Sequence, residues 1–473
     1  MSRWLLKLLN IALLVGIAAA IPYMMTAYAP VEKNNKAVEA IANKQYDEAI
    51  ALLSDARLSS PENPTFRANL TAAYQNKAIS LEEQKRTTES LMFYEKALDL
   101  EPDNQTIMKN FVSTINNLAV AHSNRREFAE SQQLFERAAK SLKRINDSAI
   151  RNDVIHNYSA LLTLWGAELM KANKVNDAVT AFTNSLNLDP QNAVANIYLG
   201  DLRYEVNDYE AARQFYSAAL PFEKDNKEYL KTRLEMIADE IRVETLFKKA
   251  ADPQNRFLVH YVDYTNGVTV SEMLDMLAQA RTAVGEKLGI YPARAVNVKV
   301  YNARDFFRIS RLPEWAIGIF DGKLRLKVDD LQSAPSQVKD LLFHEYTHAV
   351  LAMNIKQKVP AWFHEGMAQM MEPQFAENPR EQAQMRDALA RTRLDFNVLK
   401  DSFKDITSKT EAETAYLLSK YFLSYLNTKY GHEKLMDWVA RMTKDEEFEK
   451  SFQAVYGLPL EQAQNEWIKG QVK

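Results

Sequence analysis

The segment His344-Glu345-Tyr346-Thr347-His348 sets two imidazoles four residues apart with a carboxylate between them. On a helix, residues at that spacing share one face about 6 Å apart, so both rings can reach a single metal ion. Glu345 then lies where it can hold and deprotonate a metal-bound water. Apolar Val338, Leu341, Leu342, Ala349 and Val350 would fix the helix in a core. With only seven histidines in the chain, chance would supply this pattern roughly 0.01 times. Two histidines merely satisfied on a helix is therefore the weaker reading. A catalytic metal needs a third protein ligand and an open position. The next segment, Val359-Pro360-Ala361-Trp362-Phe363-His364-Glu365-Gly366-Met367-Ala368, offers two candidates. Pro360 suits a helix start, and Glu365 follows His348 by 17 residues, enough for a turn and a return. His364 is its rival, about 100° away around the helix, so only one of the pair can face the metal squarely.

Composition narrows the chemistry further. The chain has no cysteine, which excludes disulfides, thiol catalysis, cysteine-held iron–sulfur clusters and sulfur-ligated zinc. Any transition-metal site must be built from histidines and carboxylates. With 59 Lys+Arg against 62 Asp+Glu the net charge is -3, too balanced for a strongly basic nucleic-acid binder. Charged residues at 26% and hydrophobic ones at 47% exclude a disordered chain and a multi-span membrane protein. At about 150 residues per domain the length predicts about three units.

The elements that must position these residues lie in the second half. Arg256–Tyr264, Val296–Tyr301 and Ala316–Val328 are rich in Val, Ile, Phe and Tyr and read as strands. Asp321-Gly322 marks a tight hairpin within the last of them. Val270–Leu288 has helical spacing, and from Ser336 onward the pattern is helical nearly to the end. These features predict an α+β domain over residues 254–473. His260 falls in the first strand and reads as structural.

Over about residues 254–440, His344-Glu345-Tyr346-Thr347-His348 followed by Pro360–Ala368 resembles the gluzincin metallopeptidases, particularly the peptidase MA-like domains. The resemblance implies a zincin-like fold and one zinc ion, held by His344, His348 and Glu365, the glutamate of the Trp-x-x-Glu-Gly signature. It implies Glu345 as the base toward zinc-bound water, with hydrolysis of peptide bonds as the activity. It also implies an oxyanion donor on a later helix, for which Tyr416 in Glu413–Leu418 matches best, ahead of Tyr421 and His432. Some members carry an aspartate four residues after the glutamate ligand to orient a zinc histidine. Gln369 stands there in this chain, and its amide oxygen could accept the same bond. The strand before the zinc helix serves in related domains as an edge for extended peptide, which would be Trp315–Val328 here. The plainer reading is an edge hairpin protected by Lys323, Arg325 and Lys327.

The first half is helix-rich and carries a period. Gly166 and Gly200 are 34 residues apart, as are Ala178 and Ala212, and Phe182 and Tyr216. A small–large–small triplet recurs upstream at Ala49/Leu53/Ala56, Ser90/Tyr94/Ala97 and Ser131/Phe135/Ala138. A fixed period of this kind reads as stacked helical hairpins. Residues 159–226 strongly, and 37–158 more loosely, resemble tetratricopeptide repeats, giving a helical repeat solenoid over 30–250. Such repeats imply a groove for a protein partner, with a rigid spacer as the plainer alternative.

Residues 1–29 stand apart. Arg3 and Lys7 precede a span, Leu8–Ala29, that is almost wholly apolar and near the length needed to cross a bilayer. Ala27-Tyr28-Ala29 resembles a cleavage site, but Pro30 follows it, which favours an uncleaved anchor over a removed signal. The positive residues place the N-terminus inside and residues 30–473 on the extracytoplasmic side. The combined expectation is a membrane-anchored zinc metallopeptidase whose repeats recruit protein substrates or partners, with no nucleic acid involved. The alternative is an envelope scaffold acting through its repeats, with a structural or weakly active zinc domain. A zinc hydrolase for a non-peptide bond would instead need a closed pocket.

Overall fold

A computed structural model describes residues 28–312, 318–391, 396, 399 and 408–471. The chain divides into two compact units between Ala195 and Asn196. Among the described residues no helix is long and apolar enough to cross a membrane. The expected anchor at 1–29 lies, through residue 27, outside the described residues.

The first unit is built of helices α1 (28–42), α2 (Tyr46–Ser59), α3 (Pro64–Glu83), α4 (Thr87–Leu100), α5 (Gln105–Asn124), α6 (Phe128–Ser141), α7 (Ser148–Lys171) and α8 (Val175–Leu188). Each triplet is buried on the second helix of a pair, as with Ser90, Tyr94 and Ala97 on α4. The period-34 glycine has a steric cause. A Cβ on Gly166 would stand 2.6 Å from the Phe182 ring, so only glycine lets α7 approach the aromatic of α8. Asn63, Asn104 and Asp147 cap α3, α5 and α7 by accepting backbone N–H bonds, which satisfies donors that a helix start leaves open.

The second unit begins with the helices of the last repeat, α9 (Ala193–Glu205), α10 (Tyr209–Ala219) and α11 (Lys227–Glu244). It continues through β1 (Lys248–Ala251), β2 (Phe257–Tyr261), α12 (Val270–Leu288), β3 (Val296–Tyr301), α13 (Ala303–Ser310), β4 (Gly318–Phe320), β5 (Leu324–Lys327) and α14 (Val328–Leu331). Helices α15 (Pro335–Asn354), α16 (Ala361–Met371), α17 (Pro379–Arg391), α18 (Lys409–Tyr430), α19 (His432–Met442), α20 (Phe448–Tyr456) and α21 (Leu460–Gln471) complete it. The expected repeat region, 30–250, thus extends past the division of the structure, because its last helices pack as a layer of the second unit.

The sheet has the order β1-β2-β3-β5-β4, parallel at its centre and antiparallel at both ends. Period-2 alternation sends Val296, Val298, Val300, Leu324 and Leu326 to one face, where they join α12 and α15 in a single apolar core. The other face of these strands carries Lys299, Tyr301, Lys323 and Arg325. These are not solvated residues protecting an edge hairpin. Lys299, Lys323 and Arg325 are fully buried, and β5 is an interior strand beside the terminal β4.

Helix α11 supplies the compensating charge. Arg325 donates to Glu240 (2.5 Å), Asp321 (3.0 Å), the Tyr204 hydroxyl (2.6 Å) and the Tyr301 hydroxyl. Lys299 donates to Glu240 (3.1 Å) and Glu244 (2.8 Å). Burial works against ionising Glu240, but Arg325, Lys299 and Lys323 together hold its carboxyl well below the usual range. Burial likewise opposes Glu244, and His260 and Lys299 bring it down to about 2.

Both folded carboxyls therefore ionise more readily than in the unfolded chain. Their stabilisation is complete above about pH 4.5 and is lost as pH falls through the folded values. Acid unfolding of the second unit, followed by near-ultraviolet circular dichroism, should track that window. Glu240→Gln removes the shared anion and should cost about 3–5 kcal/mol in denaturant titration, with the acid transition blunted. Unchanged stability would show that the charges are not coupled as described.

Candidate metal centre

Helix α15 places His344 and His348 one turn apart, with ring centroids separated by 4.9 Å. Glu365 arrives from α16. Its Oε2 stands 3.3 Å from His344 Nε2 and 3.6 Å from His348 Nε2. The three ligand atoms all lie within 4.8 Å of one another, close enough for one ion to touch each. Two carboxylate oxygens here, Glu365 Oε2 and Glu345 Oε2, are buried with no hydrogen-bond donor. An unmatched buried polar atom costs about 1–3 kcal/mol, more when charged, and a cation bound between these donors would offset that cost. Two imidazole nitrogens and one carboxylate oxygen fit a borderline divalent ion.

Electrostatics divide the roles. Burial alone would keep Glu365 protonated, but His348 and His344 hold it well below the usual carboxylate range. Burial pushes the Glu345 carboxyl up, against the pull of the same two histidines. Burial disfavours charge on His344, yet the carboxylates of Glu365 and Glu372 beside it raise it well above the ordinary histidine value. A bound cation would relieve that proton demand. Burial and the neighbouring His348 push His364 down to about 4, and its ring lies 6.0 Å from that of His348. His364 is outside the three-donor group.

The residue orienting His344 differs from the expectation. Gln369 does not accept from the imidazole. Its Nε2 donates to the backbone oxygens of Tyr416 (3.0 Å) and Glu365 (3.3 Å), tying α16 to α18. Glu372 takes the place instead, with Oε1 2.7 Å from His344 Nδ1. A proton on Nδ1 donated to Glu372 leaves the Nε2 lone pair facing the metal position. Glu372 is the residue after α16, immediately before Pro373, and its extended backbone swings the side chain back. Helices commonly end before proline, and that was the sequence signal available for it.

Packing fixes the height of α16. Trp362 and Phe363 sit in a cluster of rings with Phe422, Trp438 and Phe448. On the same buried side, a Cβ at Gly366 would lie 2.5 Å from the Ser419 carbonyl oxygen. The glycine beside Glu365 thus sets how closely α16 approaches α18.

Helix α18 brings Tyr416 to the site. Burial, Glu365 and Glu345 all raise its phenol well above the ordinary tyrosine value, so it stays a protonated donor. Tyr421 is engaged elsewhere, with its hydroxyl 3.1 Å from the Asn378 carbonyl and 3.0 Å from Glu381. His432 pairs with Asn427 at the exit of α18. His260 bonds Glu244 on the far face of the sheet. Of the expected edge element, Trp315–Ile317 lie outside the described residues. Its described part begins at Gly318, where a Cβ would stand 2.6 Å from Glu345 Oε1. The terminal strand β4 therefore runs directly past the Glu345 carboxylate.

Comparison with known proteins agrees with this organisation. Residues 277–472 match the Peptidase MA superfamily, and residues 71–104, 112–148 and 169–234 match tetratricopeptide repeats. The chain carries these repeats ahead of a Peptidase MA superfamily domain. No curated protein matches it. Similar solved structures include PilF of Pseudomonas aeruginosa, at 17% identity, 47% of this chain, 93% of that one and TM-score 0.20. MamA of Desulfovibrio magneticus gives 13%, 41%, 94% and 0.18. A tetratricopeptide repeat protein of Thermus thermophilus gives 17%, 45%, 100% and 0.17.

Glu372→Ala should weaken uptake of a divalent probe ion about 10- to 100-fold, because the His344 tautomer and ring angle lose their support. Competition with a chelator of known affinity, on protein with unaltered circular dichroism, measures it. Unchanged affinity would remove Glu372 from the site.

Proposed function

We propose that the second unit is a zinc-dependent peptidase that cleaves extended polypeptide, and that the repeats bring protein substrates or partners to it. One observation carries the reading: Glu345 and Glu365, each with one buried oxygen that accepts no hydrogen bond, meet two histidines beside a terminal β-strand. His344, His348 and Glu365 would hold the ion. When bound, zinc supplies Lewis acidity toward water and toward a carbonyl oxygen.

The rest falls to the chain's own side chains. Glu345 has its raised carboxyl affinity for protons and an oxygen with no competing donor, so it can take a proton from the attacking water. The same oxygen can return that proton to the departing amine. Tyr416 keeps its phenolic proton and can donate it as a hydrogen bond to the developing oxyanion. Strand β4 offers backbone N–H and C=O groups to an extended substrate without demanding particular side chains. Gly318 leaves the Glu345 side of that strand without a side chain, which gives the carboxylate room.

A structural metal site would need no buried base, and this favours the peptidase over a scaffold with an inert centre. The tether rests on Arg3 and Lys7 ahead of the apolar span Leu8–Ala29, which would leave the repeats and catalytic unit on the extracytoplasmic side.

The deciding comparison uses zinc-loaded protein with an unfolded polypeptide as substrate. Glu345→Gln should keep its zinc and lose about 10²- to 10⁴-fold in kcat. Tyr416→Phe should lose about 10²- to 10³-fold in kcat with little change in KM. Equal turnover by wild type and Glu345→Gln would overturn the proposal. Stoichiometric zinc without turnover in the wild type would favour the scaffold.

A further inference from the structure

The last repeat contributes more to the second unit than a cover for the sheet. Lys323 sits at the β4–β5 turn, next to Asp321 and Gly322, where Asp321 N donates to the Lys323 carbonyl at 3.2 Å. Its side chain is fully buried. The ammonium donates to Asn207 Oδ1 at 2.6 Å and to the Tyr209 hydroxyl at 2.8 Å. It also lies 4.2 Å and 4.4 Å from the ring centroids of Tyr204 and Tyr209. All three partners belong to the α9–α10 hairpin of the repeat. Asn207 is the turn residue of that hairpin and has a left-handed backbone, φ 63°. The turn is braced in its own right. The Tyr209 hydroxyl donates to Asn207 Oδ1 at 2.9 Å, and Asn207 Nδ2 donates to Asn297 on β3 at 3.3 Å.

A second tie lies two residues further along. Arg325 stands opposite Ile319 in the β4–β5 pairing, and it reaches Tyr204 of α9 and Glu240 of α11. It also binds Asp321 at 3.0 Å across the turn. The strand paired with this anchored segment, β4, is the one whose Gly318 abuts Glu345. The repeat turn and the site are thus joined through a single short hairpin.

We propose that Lys323 and Arg325 are positioning residues for the peptidase reaction, through which the α9–α10 turn at Asn207 and Tyr209 holds strand β4 in the register that receives substrate. The functional half of this inference rests on the peptidase reading above; the mechanical half stands on the contacts alone. Neither residue touches the reacting atoms. Their effect passes through the backbone of β4, so loosening them weakens substrate alignment and leaves the base and metal ligands in place.

Two variants of the full chain test this. Asn207→Gly removes the amide while glycine keeps the left-handed turn. Lys323→Met removes the ammonium while keeping the stem, and leaves Tyr209 and Asn207 bonded to each other. Hydrogen exchange read by mass spectrometry should show residues 318–327 exchanging about tenfold faster in both variants, with β2, β3 and bound zinc unchanged. With zinc-loaded protein and an unfolded polypeptide, KM should rise about 5- to 10-fold while kcat stays within about twofold.

Unchanged exchange in the hairpin would overturn the proposal whatever the enzyme does. Faster exchange with unchanged KM would overturn the substrate-positioning role. Zinc loss or faster exchange throughout the unit would mean that the contacts are merely structural, and would also overturn it. Faster hairpin exchange in a chain whose wild type cleaves nothing would sink the peptidase reading and, with it, the reaction role, while leaving the mechanical tie intact.

Discussion

Burying a guanidinium without a partner costs several kcal/mol, and Arg325 has no exposed surface at all. Its fixed charge therefore dictates what may lie on the far face of the sheet. Glu240 must be there, and so must the hydroxyls of Tyr204 and Tyr301, because Glu240 and Tyr301 together accept from Nη1 and Tyr204 accepts from Nη2. Lys299 and Lys323 add positive charge to the same space, balanced by Glu240 and Glu244 and by the tyrosine faces beside them. An apolar helix could not cover this surface. The covering helix has to present acids at helical spacing, as α11 does with Glu240 and Glu244.

The two faces of one sheet thus perform separate work. The apolar face buries valines and leucines against α12 and α15, which fixes the histidine helix in depth and rotation. The polar face fixes the hairpin at the end of the sheet. The position of His344, His348 and Glu365 relative to strand β4 depends on both. The first sets where His344, His348 and Glu345 stand, and the second sets where Gly318 runs above them. The C-terminal helices complete the frame, since Trp362 and Gly366 determine how far Glu365 projects from α16.

Much of this was legible in the residues, and the failures have physical reasons. The histidine pair was readable because i, i+4 spacing has one geometric meaning on a helix. Strand β3 was readable because Val296, Val298 and Val300 alternate with other residues and end on Tyr301, a period-2 pattern of β-branched side chains. The far face was misread because alternation in Lys323-Leu324-Arg325-Leu326-Lys327 reports only that two faces differ. It cannot tell a polar face turned to water from one turned to a second polar layer. The partner, Glu240, lies 85 residues upstream and within a helix whose period marks it as repeat. Glu372 was missed for a different reason. Its role depends on the backbone leaving the helix before Pro373, whereas the expected position, Gln369, lies within α16 and is spent on backbone oxygens.

The chemistry of the far face also bears on how the two halves of such a chain can be related. Repeat arrays tolerate addition and loss of units because each contacts only its neighbours through similar apolar surfaces. That freedom ends at α9–α11. These helices keep the repeat's own packing, with Ala212, Tyr216 and Ala219 buried as in the units before. They also carry Tyr204, Tyr209 and Glu240, which serve the sheet and replace Met170, Val175 and Val206 of one period earlier, while Asn207 keeps the left-handed turn that Asn173 holds in the preceding unit. An ordinary repeat substituted here would leave the buried Arg325, Lys299 and Lys323 without their partners, and breaking buried pairs of this kind costs several kcal/mol. The last repeat is therefore bound by two sets of constraints at once, and the second set, imposed by Lys299, Lys323 and Arg325, is what makes it part of the second unit.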